Sequence, residues 1–470
     1  MSLVTRCLAS GFILFVSQVV AKPTPMNDPA KVNEIVDTAE KIAEAYQQLG
    51  WFSGNLYIAK DGQAILSKSY GYQNIEKEQL NSVETKFNLG SIMKNFTKVL
   101  VLQQVEEGNL SLFDKLSKFN LGFPSSVSDK VTVEHLLNHT SGFADVFTAE
   151  YRENPLAFDT LAKKLTLLRD QPLLFAPGTE HAYSNYGYIV LGAVLEKVTK
   201  QPFEPLLNER IIKPVGMGDT SFKVNSNNPH QSERYTYLYD GRLKHVGITE
   251  HPGPDGGIES TVSDVQKFYR ALFYSDKLLR RANEVNKKAF AMSGEHWGSY
   301  GGGLGVSAAV EVNLKHDFEV VVLANTDSLV AEQISTRIQD FINNGSFQPV
   351  KALETNYAYG FYKTHGKAKF FADFKSEYEG KGYKQFIGRT INELGMQLLK
   401  TREWQEAFDI FNYLASIFPN APQVYDSLAY AFFTKGEPDK AHDVFKKALK
   451  LNKSFKSDYI SNNFGHLSSP

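Results

Sequence analysis

Apolar positions along this chain follow two periods, and the switches between them mark its elements. Over residues 31–49 they recur at helical spacing and stop at Gly50, so an amphipathic helix is predicted there. Residues 55–60 and 63–72 read as strands joined by Asp61-Gly62, a dipeptide suited to the positive φ angles of a type I′ turn. Ile92, Phe96, Val99, Leu102 and Val105 then return to helical spacing, with Ser91 at the expected N-cap after Gly90 and Gly108 as the stop. Further helical runs cover residues 188–198 and begin near Ser263-Asp264. Two closing strands, 306–314 and 318–323, flank Lys315-His316-Asp317. Strands at both ends of a segment with helices between them predict an α+β domain, not a doubly wound parallel sheet.

The pattern changes after about Phe347. Residues 348–388 read as a helical connector rich in charged and aromatic side chains. A repeat follows: Leu394 and Leu428, Ala407 and Ala441, and Phe411 and Phe445 each stand 34 residues apart, with Pro419, Pro422 and Gly436 in the turns. That period and those small residues are the signature of tetratricopeptide helix pairs, placed here at 389–456. Two repeats are few for a free-standing solenoid, so they are expected to lean on the connector or to present a surface to a protein partner.

Before residue 30 the chain carries a targeting pattern. Arg6 is followed by an apolar stretch too short to span a bilayer comfortably, and Val19-Val20-Ala21 offers small residues for cleavage. Residues 1–21 are therefore expected to be a signal peptide, which places the mature protein outside the cytoplasm, secreted or periplasmic. Cys7 is the only cysteine of the 470 residues, so cleavage leaves neither a disulfide nor a thiol nucleophile. A formal net charge of -1 gives no bulk attraction for nucleic acid or for a membrane surface. Histidines are scattered without ligand spacing, so no metal site is expected.

Candidate chemistry starts at Ser91 and Lys94. Three residues apart on a helix, they share a face, and a hydroxyl beside an amine is a nucleophile with its base. The bland alternative is a capping serine with a solvated lysine. His139, in the broken helix around Leu136-Leu137-Asn138-His139-Thr140-Ser141-Gly142, reads better as a structural histidine bonding its turn than as a catalytic base. The order of motifs tips the balance for Ser91. Asn88-Leu89-Gly90-Ser91-Ile92-Met93-Lys94 is followed by that His139 segment, then by Pro177-Gly178-Thr179 with Tyr183-Ser184-Asn185, then by Gly256-Gly257-Ile258-Glu259-Ser260-Thr261 and a closing strand ending at Asn325.

Over roughly residues 35–330 this series resembles the class C β-lactamase-related serine hydrolases, a group that includes D,D-peptidases, D-aminopeptidases and esterases. The resemblance implies an antiparallel sheet flanked by helices plus a helical subdomain, over residues 30–347, and an acyl-enzyme on Ser91. It implies Lys94 and Tyr183 as general bases, Asn185 as a substrate-binding amide, a small-molecule or peptide substrate, and no cofactor. The family's third motif, Lys-Thr-Gly or His-x-Gly, has no unique match. His296-Trp297-Gly298 fits the letters and makes His296 and Gly298 substrate-binding candidates, whereas counting back from Gly305 lands on Ser299-Tyr300-Gly301. A third option makes Tyr300-Gly301-Gly302-Gly303-Leu304-Gly305 the preceding strand, with the motif hairpin lost. The competing function is a decayed hydrolase fold serving as a binding scaffold through its repeats. Since every catalytic candidate precedes residue 350, the C-terminal part is expected to be dispensable for turnover of a small ester.

Overall fold

The computed structural model describes residues 28–222, 228–247, 250–457 and 459; the expected signal segment and Cys7 lie outside them. Its centre is a five-stranded antiparallel sheet made from the two ends of the segment 30–347. Strands β1 (Gly54–Lys60) and β2 (Gln63–Tyr70) come from the start, and β3 (His296–Gly303), β4 (Val306–Asn313) and β5 (Phe318–Ala324) from the end, in the order β2-β1-β5-β4-β3. Asp61 and Gly62 both have positive φ, 52° and 74°, as the Asp-Gly turn requires. Gly54 pairs with Ala324 and Lys60 with Phe318, so the first strand closes against the last.

Every residue of β1, β4 and β5 is buried, because both faces of the sheet are covered. The alternation of side chains sorts them. Leu56, Ile58, Val320 and Val322 pack with helices α1 (Pro29–Gln48) and α5 (Val330–Asn344). Tyr57, Val310, Val321 and Leu323 pack on the other side with α2 (Met93–Glu106), α3 (Asn185–Thr199) and α4 (Val262–Tyr274). Each such aliphatic side chain contributes about 1.5–3 kcal/mol on burial. Helix α1 starts cleanly because Asp28 accepts a hydrogen bond from Ala30 N at 2.9 Å and Pro29 occupies the first turn.

The C-terminal part is all helix: α6 (Glu354–Gly380), broken at Gly366, then α7 (Ile387–Lys400), α8 (Trp404–Ile417), α9 (Pro422–Thr434) and α10 (Pro438–Leu451). The six residues spaced by 34 are all buried. Close packing sets the small residues: a Cβ on Gly395 would lie 2.6 Å from the Phe411 ring.

These helices also grip the segment that precedes them. The hairpin formed by Arg234–Tyr237 and Leu243–Val246 sends the turn residue Tyr239 into their core, where it is 1% exposed. The Tyr239 hydroxyl bonds Thr401 Oγ1 at 2.8 Å, its ring meets Tyr359 edge to face, and Asn356 Nδ2 donates to Leu238 O at 2.7 Å. The same hairpin is tied inward by Asp327, which accepts from Tyr237 N at 2.9 Å and from Thr236 Oγ1.

Candidate active site

Ser91 sits on a single turn of 3-10 helix, Gly90–Ile92, that runs directly into α2. It is not the N-cap that the pattern predicts. No side chain caps this helix, and the Ser91 oxygen is engaged elsewhere. Lys94 Nζ donates to Ser91 Oγ at 3.1 Å, and Tyr183 OH donates to the same oxygen at 2.7 Å. Lys94 is only 6% exposed, so the solvated-lysine alternative does not describe it. Its Nζ has three partners: Ser91 Oγ, Asn185 Oδ1 at 2.6 Å, and the Asp255 main-chain carbonyl.

Tyr183 and Asn185 reach Lys94 because two loops are laced together. Ala182 N donates to His139 O at 2.9 Å and Gly178 N to Thr140 O at 2.8 Å. Ser184 caps α3 by accepting from Gly187 N, and its hydroxyl donates to Ala144 O. Tyr183 is 49% exposed, yet its ring is held from beneath by the His139 ring, 4.4 Å between centroids. His139 itself accepts from Ser184 N at Nδ1, 3.2 Å away, with its backbone in the left-handed region. Burial, reinforced by the charge of Lys94, lowers its pKa to about 4, so the ring is neutral near pH 7.

The structure thus brings Ser91, Lys94, Tyr183 and Asn185 together. It does not bring His296 and Gly298 to them. Both lie on β3, but His296 pairs with Asn313 and Gly298 with Glu311, at the end of the strand away from the Ser91 turn. His296 Nε2 is bound to the buried Glu311 carboxylate at 2.5 Å, and Trp297 packs against Tyr269, Phe273 and Phe290. The residues that touch the Ser91 turn are Gly301 and Gly302. A Cβ on Gly301 would stand 2.1 Å from Leu89 O and 3.0 Å from Ser91 N, and one on Gly90 would stand 2.9 Å from Gly302 N. Glycine is needed where two backbones come this close. With about 3.3 Å per residue, Gly298 stands about 10 Å further along the strand and His296 about 16 Å. Ser299-Tyr300-Gly301 is therefore the segment in place. Ser299 Oγ accepts from Asn95 Nδ2 at 2.7 Å, and Tyr300 donates to Glu311 on the opposite face.

Around these groups is a cleft of about 800 Å³, lined among others by Ser91, Tyr183, Asn185, Phe147, Gly302 and Leu304. Arg234 in its wall is held by an ion pair whose two members the sequence pattern does not connect. Arg234 Nη2 lies 3.0 Å from Glu259 Oε1, and Glu259 also accepts from Gln231 and Asn88. Burial pushes the Glu259 carboxyl upward against the pull of Arg234. Sequence reasoning also missed Asp145, whose carboxylate receives Asn185 N at 3.1 Å and Asn185 Nδ2 at 3.0 Å. It stands three residues beyond Gly142 in the same turn, and that proximity to a motif was its one available signal. Asp255 contributes a main-chain carbonyl, which side-chain reading does not reveal.

Comparison with known proteins agrees with this fold. The profile of the Beta-lactamase family matches residues 38–341. The chain belongs to the Beta-lactamase family. Among its relatives, Protein flp of Staphylococcus aureus (strain N315) is 28% identical over 362 residues, spanning 69% of this chain and 70% of that protein. Penicillin-binding protein 4* of Bacillus subtilis (strain 168) is 26% identical over 262 residues, 52% of this chain and 56% of that one. Among solved structures, a penicillin binding protein from Bacillus halodurans superposes with a TM-score of 0.57 at 26% identity, covering 64% of this chain and 98% of that one. EstCE1, described as a hydrolase with promiscuous acyltransferase activity, shares the fold at 20% identity and a TM-score of 0.56, over 67% of this chain and 99% of its own. Two further structures that share the fold, at 22% and 19% identity, are described as a D-stereospecific amidohydrolase from Streptomyces sp. and a D-amino acid amidase from Ochrobactrum anthropi SV3. Among the described residues no helix is long and apolar enough to cross a membrane.

Proposed function

We propose that this protein is an exported serine hydrolase that forms an acyl-enzyme on Ser91. The observation that carries the reading is the shared oxygen: Ser91 Oγ receives both Lys94 Nζ and Tyr183 OH at hydrogen-bond distance. As a neutral amine, Lys94 has two N–H groups facing carbonyl oxygens, Asn185 Oδ1 and Asp255 O, which can only accept. Its lone pair then faces the serine. Ser91 Oγ bonds to the acyl carbon as its proton passes to Lys94 Nζ, and the bond to the leaving group breaks as the Tyr183 phenol protonates it. The phenol recovers a proton from Lys94. Water then attacks the ester in the reverse sense, gives a proton to the Tyr183–Lys94 pair and returns Ser91 its own. The main-chain N–H of Ser91, with that of Gly302 beside it, is assigned to the developing oxyanion. Export rests on the pattern of residues 1–21.

The favoured substrates are neutral acyl esters. Where relatives place a lysine in the third motif, this chain has Ser299, and it is already occupied by Asn95. No lysine or arginine stands on β3, and the Arg234 guanidinium in the cleft wall is held by Glu259. At the third motif a substrate carboxylate would lose hydration without the lysine that relatives place there, about a hundredfold in specificity, leaving Arg152 and Lys164 as further basic residues of the lining. The test is kcat/KM for p-nitrophenyl butyrate beside a chromogenic cephalosporin on one preparation, with Ser91→Ala as control. Ester turnover that falls at least about a thousandfold in Ser91→Ala is expected. Faster turnover of the cephalosporin would sink the ester preference. Ester turnover that survives in Ser91→Ala would sink the mechanism. The scaffold alternative finds little support here, since a decayed site has no need to keep Ser91, Lys94, Tyr183 and Asn185 in mutual contact.

A further inference from the structure

We propose that Asp145 is a positioning residue that sets the orientation of the Asn185 amide and, through it, the direction of the Lys94 lone pair. The inference rests on the Ser91 mechanism above and extends it to a residue that touches neither substrate nor nucleophile.

An amide side chain can present its oxygen or its NH₂ to a neighbour, and only the oxygen suits Lys94 as a base. If Asn185 turned its NH₂ toward Lys94, that N–H would take up the amine's lone pair and withdraw it from Ser91. The choice has to be made on the other side of the amide. There the Asp145 carboxylate accepts from Asn185 Nδ2 through Oδ2, at 3.0 Å, and from Asn185 N through Oδ1, at 3.1 Å. A carboxylate accepts only, so a flipped amide would set oxygen against oxygen. The carboxylate is itself fixed, since Val146 N donates to Oδ1 at 2.7 Å and the adjoining Ala144 carbonyl is held by Ser184 Oγ. Asn185 begins α3, and a negative charge at a helix start is favourable, so the arrangement is stable without substrate. The result is an unbroken line from Asp145 through Asn185 to Lys94 and Ser91, each bond dictating the polarity of the next.

Two variants separate orientation from mere support. Asp145→Asn keeps the shape but removes the acceptor-only character, so the Asn185 amide loses its fixed sense. The exchanged double variant, Asp145→Asn with Asn185→Asp, again places an acceptor-only oxygen on Lys94, now with a negative charge that favours the protonated amine. We expect Asp145→Asn to lose about a hundredfold in kcat for p-nitrophenyl butyrate with KM changed less than about threefold. The exchange should recover at least about tenfold of that loss, with the acid limb of its pH–rate profile moved to higher pH. Wild-type and Ser91→Ala proteins run in parallel: absence of Ser91-dependent turnover in the wild type defeats the hydrolase reading, not this one. Undiminished kcat in Asp145→Asn overturns the proposal. So does an exchange that recovers nothing while near-UV circular dichroism reports a native fold, or recovery without a shifted pH profile. A fold lost in Asp145→Asn and not restored by the exchange also overturns it, because Asp145 would then serve the fold alone.

Discussion

Adding one methyl group at Gly301 tests where the cleft edge of the sheet meets the nucleophile. In Gly301→Ala the new Cβ would sit 2.1 Å from Leu89 O and 3.0 Å from both Leu89 C and Ser91 N. A comfortable contact needs more than 3 Å, so β3 or the Ser91 turn must retreat by about 1 Å. All three atoms are backbone, so no side chain can rotate out of the way. The retreat widens the gap across which the Ser91 and Gly302 N–H groups are to hold one oxyanion. Displacing a donor by that distance costs about 100- to 1,000-fold in kcat. Overpacking costs about 1–3 kcal/mol of stability, which leaves a domain of this size folded at 25 °C. Gly298→Ala is the matched control. Its Cβ would meet Glu311 Oε2 at 2.8 Å and Tyr300 OH at 3.1 Å, the ends of side chains that can swing aside. Its kcat should stay within about threefold of wild type. The assay is kcat and KM for p-nitrophenyl butyrate on both variants, with a thermal melt to register the fold. A Gly298→Ala loss equal to that of Gly301→Ala would refute the placement and return His296-Trp297-Gly298 to the site.

Three further outcomes follow from the same structure. His139 has a folded-state pKa of about 4 against about 6.5 unfolded, so its contribution to stability is complete above pH 6.5 and is lost as pH falls toward 4. Discounted for partial exposure it amounts to about 2 kcal/mol; urea midpoints from pH 7 to 4.5 should fall more steeply in wild type than in His139→Gln, and equal slopes would refute it. Tyr239→Ala should lower the melting temperature by several degrees, since an aromatic ring buried between two parts of the protein is worth about 3–5 kcal/mol. Truncation after residue 350 uncovers the same ring and the hairpin that begins at Arg234 in the cleft wall, so ester turnover should fall with stability. A truncated protein with wild-type melting temperature and kcat would restore the expectation of a dispensable C-terminal part.

What the sequence made legible was local. The Asp61-Gly62 turn, the closing strands and the Ser91–Lys94 spacing depend on residues a few positions apart, where period and backbone preference act directly. The motif series also led to Tyr183 and Asn185, because the residues around them match a recognisable pattern. The third motif stayed open among its alternatives because letters alone do not register space. His296-Trp297-Gly298 matched a pattern, but it is Gly301 whose backbone passes this close to Leu89 and Ser91, with Gly302 N against Gly90. Asp145 carries no period or motif of its own, Glu259 lies in the Gly256-Gly257-Ile258-Glu259-Ser260-Thr261 motif without a sign of its partner, and Tyr239 carries neither. Their roles come from partners 40, 25 and 162 residues away, which only the folded chain brings together.

The central claim is a covalent bond to one oxygen atom, and intact-mass spectrometry after a fluorophosphonate probe measures it directly. Wild-type protein should gain the mass of one phosphonyl adduct, peptide mapping should place it on Ser91, and Ser91→Ala should gain none while keeping its near-UV circular dichroism. An adduct on another residue, or labelling undiminished in Ser91→Ala, would contradict the account.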